Sequence, residues 1–174
     1  DEQGLPSSDK DLYAQIIQGI REFAPELILC VSTSGRIQND YETRSQVLTL
    51  EGNLKPDMAS LTLSSLNFNR TASISTPDTI LGLAKTMKEK GIKPELEVFD
   101  LGMANMIRYL IKKDLLQEPY YVNLILGNIA SAQADLLPIG VLLNDLPEDS
   151  VVSIGAVGND QLKANALAIA LGYG

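Results

Sequence analysis

Hydrophobic and polar residues along the chain follow two periods, one typical of amphipathic helices and one typical of buried strands. In the first helical stretch, apolar residues from Leu12 to Phe23 recur every three or four positions, and Ser8 precedes them as a candidate N-cap residue. Short, apolar, β-prone runs separate the helical stretches. The pattern predicts about five strands and six helices in strict alternation.

The bounds of these elements follow from apolar periodicity, capping residues and the glycines and prolines that end helices. Helices are predicted at 9–23, 41–50, 77–90, 103–116, 133–144 and 160–171, and strands at 26–32, 57–62, 94–100, 120–127 and 151–158. Thr76 and Pro77 give a strong helix start, a capping hydroxyl followed by proline at the first helical position. The polar segment 63–75 is predicted to be a long loop.

Strict alternation favours an α/β fold with parallel strands joined by helical crossovers. Two architectures have this alternation, an open doubly wound sheet and a (β/α)8 TIM barrel. No G-x-G-x-x-G or G-x-x-x-x-G-K-[ST] motif follows the first strand, which disfavours the dinucleotide-binding version of the open sheet. A barrel has about 250 residues and eight strands. We therefore expect residues 1–174 to form a single partial TIM-barrel domain.

Composition narrows the classes of partner. Of 174 residues, 45% are hydrophobic and 21% charged, and the formal net charge is −8 without any basic block, which argues against binding to nucleic acid or anionic membranes. No run approaches the ~18 apolar residues of a membrane span, and the polar start is unlike a signal peptide. The single cysteine, Cys30, is expected to be buried, and a cytoplasmic location is predicted. Without histidine, a Ser-His-Asp triad is excluded.

Polar residues collect at the carboxyl ends of the predicted strands, where parallel-sheet proteins bind ligands. The first strand ends in Ser32, Thr33, Ser34, Gly35 and Arg36, which offer hydroxyls, flexible backbone N–H groups and a guanidinium. These groups suit a carboxylate or a phosphate, although an ordinary polar loop has the same composition.

The second and third strands each carry polar residues on one face. Ser60 and Thr62 share a face because side chains alternate along a strand, and Glu95 and Glu97 share one for the same reason. A carboxylate is costly to bury alone, so Glu97 is predicted to face the site and meet a cation or a ligand, with a structural ion pair as the alternative. Asp100 is predicted to cap the next helix.

The last predicted strand ends in the glycine-containing sequence GAVGND. Gly155 and Gly158 let the backbone approach a ligand, and the following helix, with Asn159 as its predicted cap, could bind an anion at its N-terminus. Glycine-containing turns of this kind are also common where no ligand binds.

Five motifs in order give the chain its likeness to a known family. They are VSTSGR, KPDMASLTLSSLNF, PELEVFDLGM, VNLILG and GAVGNDQLKANALAIALGYG. Together they resemble the beta-keto acid cleavage enzymes over essentially the whole chain. Thr62 and Glu97 lie 97 − 62 = 35 residues apart, a separation that also suits the family.

The resemblance implies a barrel that condenses a beta-keto acid with acetyl-CoA, giving acetoacetate and a new CoA thioester. It also implies a divalent metal, usually zinc, that polarises the keto acid, and a homotetramer. The family's metal ligands are two histidines upstream of a stretch that Asp1 to Gly4 resembles, and a glutamate downstream of the final ALGYG. We therefore expect a central fragment that lacks the metal ligands and is inactive alone.

The resemblance also implies a substrate shell. Ser32 resembles a serine that contacts the keto acid, and Gly35 belongs to the adjoining turn, in which Ser34 replaces a glycine. Ser60 and Thr62 stand where the family has other substrate-facing residues, and Glu97 resembles the glutamate that contacts the substrate's distal polar group. The predicted substrate-binding residues are Ser32, Thr33, Gly35, Ser60, Thr62 and Glu97, and the predicted CoA-binding residues are Gly155, Gly158 and Asn159.

Two other functions stay open at this point. A metal-dependent aldolase or lyase on the same barrel would act on a keto acid without acetyl-CoA. A non-catalytic α/β binding module would fold cooperatively as a metal-free monomer.

Overall fold

The computed structural model describes residues 3–4 and 6–174, and a parallel sheet forms the centre of this part of the chain. In chain order the strands are β1 (Cys30–Val31), β2 (Met58–Thr62), β3 (Leu66–Asn67), β4 (Ala72–Ser73), β5 (Lys93–Val98), β6 (Tyr120–Leu126) and β7 (Ser150–Ala156). The α-helices are α1 (Lys10–Phe23), α2 (Tyr41–Ser45), α3 (Pro77–Lys90), α4 (Leu101–Lys112), α5 (Leu136–Asp145) and α6 (Gln161–Leu171).

The order of the strands in the sheet identifies the architecture. Within the described residues the order is β1-β2-β5-β6-β7, all parallel, so sheet order follows chain order without a reversal. A doubly wound sheet reverses direction at a switch point, whereas a barrel does not. Because βαβ crossovers are right-handed, an unreversed order places the helices on one face. The prediction of a partial TIM barrel with about five parallel strands and six helices is confirmed.

The sheet has one apolar face and one polar face, because side chains alternate along each strand. Leu61, Leu96 and Val122 lie side by side in neighbouring strands and are fully buried against the helices. On the other face, Thr62 pairs in register with Glu97, Glu97 with Asn123, and Asn123 with Ser153. The side that carries no helix is therefore a row of polar groups.

Several predicted ends of elements are confirmed by local hydrogen bonds. The hydroxyl of Thr76 accepts from the backbone N–H of Thr79 at 3.2 Å, and Pro77 opens α3 as expected. Gly91 ends that helix with φ +62°, a left-handed conformation that favours glycine. The carboxylate of Asp100 caps α4 by accepting from the N–H of Met103 at 3.0 Å.

Two predicted helix caps are wrong. The residue before α1 that caps it is Asp9, whose carboxylate accepts from the N–H of Asp11 at 2.9 Å, and not Ser8. Asn159 does not cap α6 because it lies within a short 3-10 turn, Gly158–Asp160, that precedes the helix.

Strand β1 is shorter than the predicted 26–32 because side chains satisfy the backbone groups before it. Arg21 donates to the carbonyl of Leu27 at 2.6 Å, and Asp57 accepts from the N–H of Leu29 at 2.8 Å. The segment 63–75 is also not a plain loop, since β3 and β4 pair as an antiparallel hairpin within it. The predicted helix 41–50 divides into α2 and a 3-10 turn, Gln46–Thr49.

Among the described residues, no helix combines the length and the apolar character that crossing a membrane requires.

Candidate functional site

The loop after β1, residues 32–36, is shaped by its own serines and is named the β1 loop here. The hydroxyl of Ser32 accepts from the N–H of Ser34 at 3.2 Å, and that of Ser34 accepts from the N–H of Arg36 at 3.4 Å. Two successive side-chain turns of this kind curl the backbone without a secondary-structure partner. Ser32 is exposed, and its hydroxyl, which also meets the phenol of Tyr13, can exchange that contact for an acceptor on a ligand.

Thr33 and Ser60 anchor the β1 loop to β2. The N–H of Thr33 donates to the hydroxyl of Ser60 at 3.1 Å, and the hydroxyl of Thr33 donates to the carbonyl of Ser60 at 2.5 Å. Both side chains are buried, and each forms a hydrogen bond with a backbone group of the other residue. Direct ligand contact by either residue stays a prediction, while their role in holding the loop is visible in these bonds.

Arg44, on α2, lies beneath the β1 loop and was not predicted as a site residue. Its side chain is 3% exposed and donates to the carbonyls of Thr33 at 2.8 Å and Ile74 at 3.1 Å, and to the hydroxyl of Ser75 at 3.3 Å. No carboxylate in the described part of the chain forms a salt bridge with it, and burial lowers the pKa of its guanidinium. The β1 loop and the segment after β4 therefore both bond to one buried cation on α2.

Gly35 fits this arrangement only because it lacks a side chain. A Cβ atom at this position would lie 2.4 Å from the carbonyl oxygen of Ile74 and 2.9 Å from Nη1 of Arg44. The N–H of Ile74 also donates to the carbonyl of Gly35, at 3.4 Å. The close approach at Gly35 is thus to the protein's own backbone, at the residue that follows β4.

A cavity of about 630 Å³ opens beside the β1 loop. Its described lining residues are rich in hydroxyl groups and include two arginines but no carboxylate. They are Pro6, Ser7, Ser8, Tyr13, Ser32, Thr33, Ser34, Arg36, Ile37, Gln38, Arg44, Val47 and Thr71. Such a lining suits an anionic ligand of small-molecule size.

Glu97 lies on the polar face of the sheet with Thr62. The hydroxyl of Thr62 donates to Oε2 of Glu97 at 2.5 Å. Burial raises the pKa of Glu97 and the charge of Glu95 adds to the rise, while the hydrogen bond from Thr62 and the charges of Arg36 and Arg44 oppose it. The cation expected beside Glu97 acts at longer range, and a neutral hydroxyl makes the direct contact.

Replacing Glu97 is expected to change how stability depends on pH. The raised pKa means that the folded protein holds a proton above pH 4.5, the ordinary value, where the unfolded chain has released it. This carboxyl therefore makes stability fall as pH rises from 4.5 through the folded pKa. In Glu97→Gln that fall is absent, so stability relative to the unchanged protein increases with pH.

Urea unfolding of both proteins, from pH 4.5 to about pH 8, measures this difference. The matched control is Glu26→Gln, at an exposed position in the turn after α1, which is expected to leave the pH dependence unchanged. Parallel stability curves for Glu97→Gln and the unchanged protein would contradict the raised pKa.

A second polar network links Glu95 to side chains of β6 and β7. Asn123 donates to Glu95 at 2.8 Å, Ser153 donates to Asn123 at 3.0 Å, and Tyr121 donates to Ser153 at 3.3 Å. Cys30 is exposed, contrary to expectation, and its thiol lies 3.2 Å from Oε2 of Glu95. Partial loss of hydration around the thiol and the nearby charge of Glu95 raise its pKa. The thiol is therefore protonated and a poor nucleophile.

The β3–β4 hairpin lies over the ends of the neighbouring strands. The guanidinium of Arg36 stacks on the ring of Phe68 at 5.1 Å, and Phe68 meets Phe99 edge to face at 5.9 Å. Asn128, after β6, donates to the carbonyl of Asn67 at 2.8 Å. The hairpin thus connects the ends of β1, β5 and β6.

The predicted CoA-binding residues lie at the end of β7 and are not among the described residues that line the cavity. Gly155 is in the strand and has open space where a Cβ would project. Gly158 has φ +66°, and Asn159 follows it in the exposed 3-10 turn. Their role in binding CoA stays a prediction.

Comparison with known proteins places the chain in a family. The whole chain, residues 1–174, matches the sequence model described as beta-keto acid cleavage enzyme. The chain belongs to the beta-keto acid cleavage enzyme family. The family resemblance stated from the five motifs is confirmed.

Curated members of the family match this chain over nearly all of its length. The chain is 31% identical over 173 residues to a 3-keto-5-aminohexanoate cleavage enzyme of Acetoanaerobium sticklandii, covering 99% of this chain and 62% of the relative. It is 35% identical over 175 residues to the enzyme of the same name from Fusobacterium nucleatum, covering 99% and 61%.

A 3-oxoadipate:acetyl-CoA acetyltransferase of Cupriavidus necator is 34% identical over 170 residues, covering 96% of this chain and 58% of that relative. The chain thus spans about three fifths of the length of these curated relatives.

Solved structures confirm the fold of this family member. The apo structure of ObcA superposes with a TM-score of 0.80 at 20% identity, covering 96% of this chain and 43% of ObcA. The binary complex of ObcA with oxaloacetate gives a TM-score of 0.81 at 20% identity, covering 95% and 44%. At this identity the likeness concerns the barrel fold alone.

The residues of this family member that the structure describes do not fit a zinc centre. Among residues 3–4 and 6–174, no group of three or more His, Cys, Asp or Glu side chains could hold a metal ion, and the chain contains no histidine. The stretch Asp1 to Gly4, likened above to the segment after the family's histidines, lies partly outside the described residues.

Proposed function

We propose that the whole protein exchanges an acyl group between a beta-keto acid and acetyl-CoA, forming acetoacetate and a new CoA thioester. The observation that carries this proposal is the β1 loop, whose exposed Ser32 lines a cavity with no carboxylate in its described lining and whose Gly35 packs against the backbone of Ile74. The family match over residues 1–174 supports the reaction class.

The β1 loop would bind the carboxylate of the keto acid. Ser32 offers a hydroxyl proton, and the bonds from Thr33 to Ser60 keep the loop in register with β2. Gly35 lets the loop lie flat against the end of β4, so that its shape does not depend on the ligand. Such preorganisation lowers the entropy that binding costs.

Glu97 and Thr62 would contact a polar group of the keto acid away from the β1 loop. They project from adjacent strands on the face that carries no helix, and their hydrogen bond at 2.5 Å orients the carboxyl group. Gly155, Gly158 and Asn159 would approach CoA at the end of β7, where Gly155 leaves open space.

We also propose that the whole protein is a cytoplasmic homotetramer that uses a divalent metal, zinc, as a Lewis acid toward the keto acid. The described residues hold no ligand set for this metal, and the binding contacts proposed above do not depend on it. Metal analysis of the purified whole protein tests the zinc proposal, and its mass in solution tests the tetramer. A metal-free protein that remains fully active would contradict the zinc proposal.

The reaction is tested by incubating the whole protein with acetyl-CoA and a panel of beta-keto acids, and measuring acetoacetate. Formation of acetoacetate and a new CoA thioester that requires both substrates is the expected result. Cleavage of the keto acid without acetyl-CoA would identify an aldolase or lyase instead. Binding of keto acids without any turnover would identify a non-catalytic module.

Ser32→Ala is expected to weaken keto acid binding. Loss of one hydrogen bond to a carboxylate costs about 1.5–3 kcal/mol, which corresponds to a rise of about 10–100-fold in the KM for the keto acid. The KM for acetyl-CoA is expected to stay constant. The matched control is Ser45→Ala, whose hydroxyl donates to the carbonyl of Glu42 within α2 and does not line the cavity. Equal effects of the two substitutions would contradict a binding role for Ser32.

A further inference from the structure

Arg36 stands out among the groups that line the cavity. The chain carries a net charge of −8, yet among the described residues that line the cavity the charged ones are Arg36 and Arg44, both cationic. Arg44 is buried and already donates to oxygen atoms of Thr33, Ile74 and Ser75. Arg36 is exposed, so it is the cation that remains available to a ligand.

The contacts of Arg36 leave its terminal nitrogens free within the described part of the chain. Its Nε donates to the hydroxyl of Ser34 at 3.4 Å, and its guanidinium lies over the ring of Phe68 at 5.1 Å. A stacking contact engages the face of the guanidinium and leaves the N–H groups at its edge for hydrogen bonding. No carboxylate of the described residues forms a salt bridge with Arg36.

The platform under Arg36 is itself held in place. Phe68 packs against Phe99 with an angle of 88° between the rings, and Asn128 bonds the backbone of Asn67 next to it. The guanidinium is therefore positioned before a ligand arrives, which reduces the entropy lost when the ligand binds. A planar, preorganised fork of N–H donors matches a carboxylate in two parallel hydrogen bonds.

We infer that Arg36 binds a second carboxylate on the substrate, so that the preferred substrate is a dicarboxylic beta-keto acid. This inference rests on the proposed function, because it extends the same substrate site. Ser32 and Arg36 belong to one loop and line one cavity, so the two ends of a short diacid can reach both. A ligand with one carboxylate would leave the fork of Arg36 to water.

Glu97 does not oppose such a ligand. It is absent from the described lining of the cavity, and its carboxyl group already accepts a hydrogen bond from the hydroxyl of Thr62.

The test compares two substrates of equal length on the whole protein, 3-oxoadipate and its monocarboxylic analogue 3-oxohexanoate. Arg36→Gln is expected to lower kcat/KM for 3-oxoadipate by about 30–100-fold and that for 3-oxohexanoate by less than about threefold. Arg36→Lys keeps the charge without the fork, and an intermediate loss is expected. The control is Arg70→Gln, an exposed arginine of the β3–β4 hairpin that is not among the described lining residues, and it is expected to behave like the unchanged protein.

Equal losses for the two acids in Arg36→Gln would overturn the inference, because the side chain would then act on the part that they share. A rise in the KM for acetyl-CoA alone would overturn it too, since Arg36 would then bind a phosphate of CoA. If the unchanged protein prefers a monocarboxylic acid, the diacid inference fails and the proposed function stands. If no beta-keto acid reacts with acetyl-CoA, the proposed function fails, and calorimetric binding of the two acids decides the role of Arg36 separately.

Discussion

The Gly35→Ala variant is expected to be less stable by about 1–3 kcal/mol and to lose about 100-fold in kcat/KM. The added methyl group would lie 2.4 Å from the carbonyl oxygen of Ile74, which is a backbone atom and cannot rotate away. Either the β1 loop or the end of β4 must move. The β1 loop lines the cavity, and the residue after β4, Ile74, is bonded to Arg44 beneath that loop. Misplacement of a binding loop by about 1 Å costs on the order of 100-fold in rate.

Urea unfolding and steady-state kinetics of the whole protein measure the two effects of Gly35→Ala. Gly19→Ala is the matched control, since it adds the same methyl group in the middle of α1, where nothing lies within 4 Å. That control is expected to gain about 0.5–1 kcal/mol from the higher helix propensity of alanine. A Gly35→Ala protein with unchanged stability and kcat/KM would show that the close approach to Ile74 is not required.

Arg44→Met is expected to lower the free energy of unfolding by about 2–4 kcal/mol. Methionine keeps much of the side-chain volume but removes every N–H donor, so the carbonyls of Thr33 and Ile74 and the hydroxyl of Ser75 lose hydrogen bonds in a buried place. Arg44→Lys restores a charge but cannot reach three acceptors in a fork, and an intermediate loss is expected.

The control for Arg44→Met is Arg108→Met. Arg108 forms a salt bridge with Asp145 at 2.8 Å, but both side chains are open to water, so a much smaller loss is expected there. Urea unfolding of the whole protein measures both variants. If Arg108→Met destabilises the protein as much as Arg44→Met, then the buried hydrogen bonds of Arg44 do not have the importance proposed.

The alternation of strands and helices could be predicted from the sequence because it depends on local periodicity and capping. Thr76, Gly91 and Asp100 act on backbone groups within four residues, so their effect is visible in a short window. The length of β1 could not be predicted, since Arg21 and Asp57 satisfy its backbone from distant positions. The β3–β4 hairpin was missed because its strands have two residues each.

The candidate site was predictable only as far as strand ends could be located. Ser32, Thr62 and Glu97 could be named because polar residues at those positions depart from the apolar pattern of parallel strands. The pairing of Thr62 with Glu97 depends on the register between β2 and β5, which the sequence alone does not determine. The burial of Arg44 could not be predicted, because an arginine at that position of a helical pattern can equally be exposed to solvent.

The β3–β4 hairpin has a consequence for how substrate preference can diverge in this family. It is inserted between β2 and α3, and it contributes no strand to the parallel sheet. Its attachments include Phe68 on Phe99, Asn67 with Asn128, and Ile74 with Gly35. Residues 64–73 therefore form a cassette that could be exchanged between related barrels, altering the surface that faces the ligand without rebuilding the scaffold.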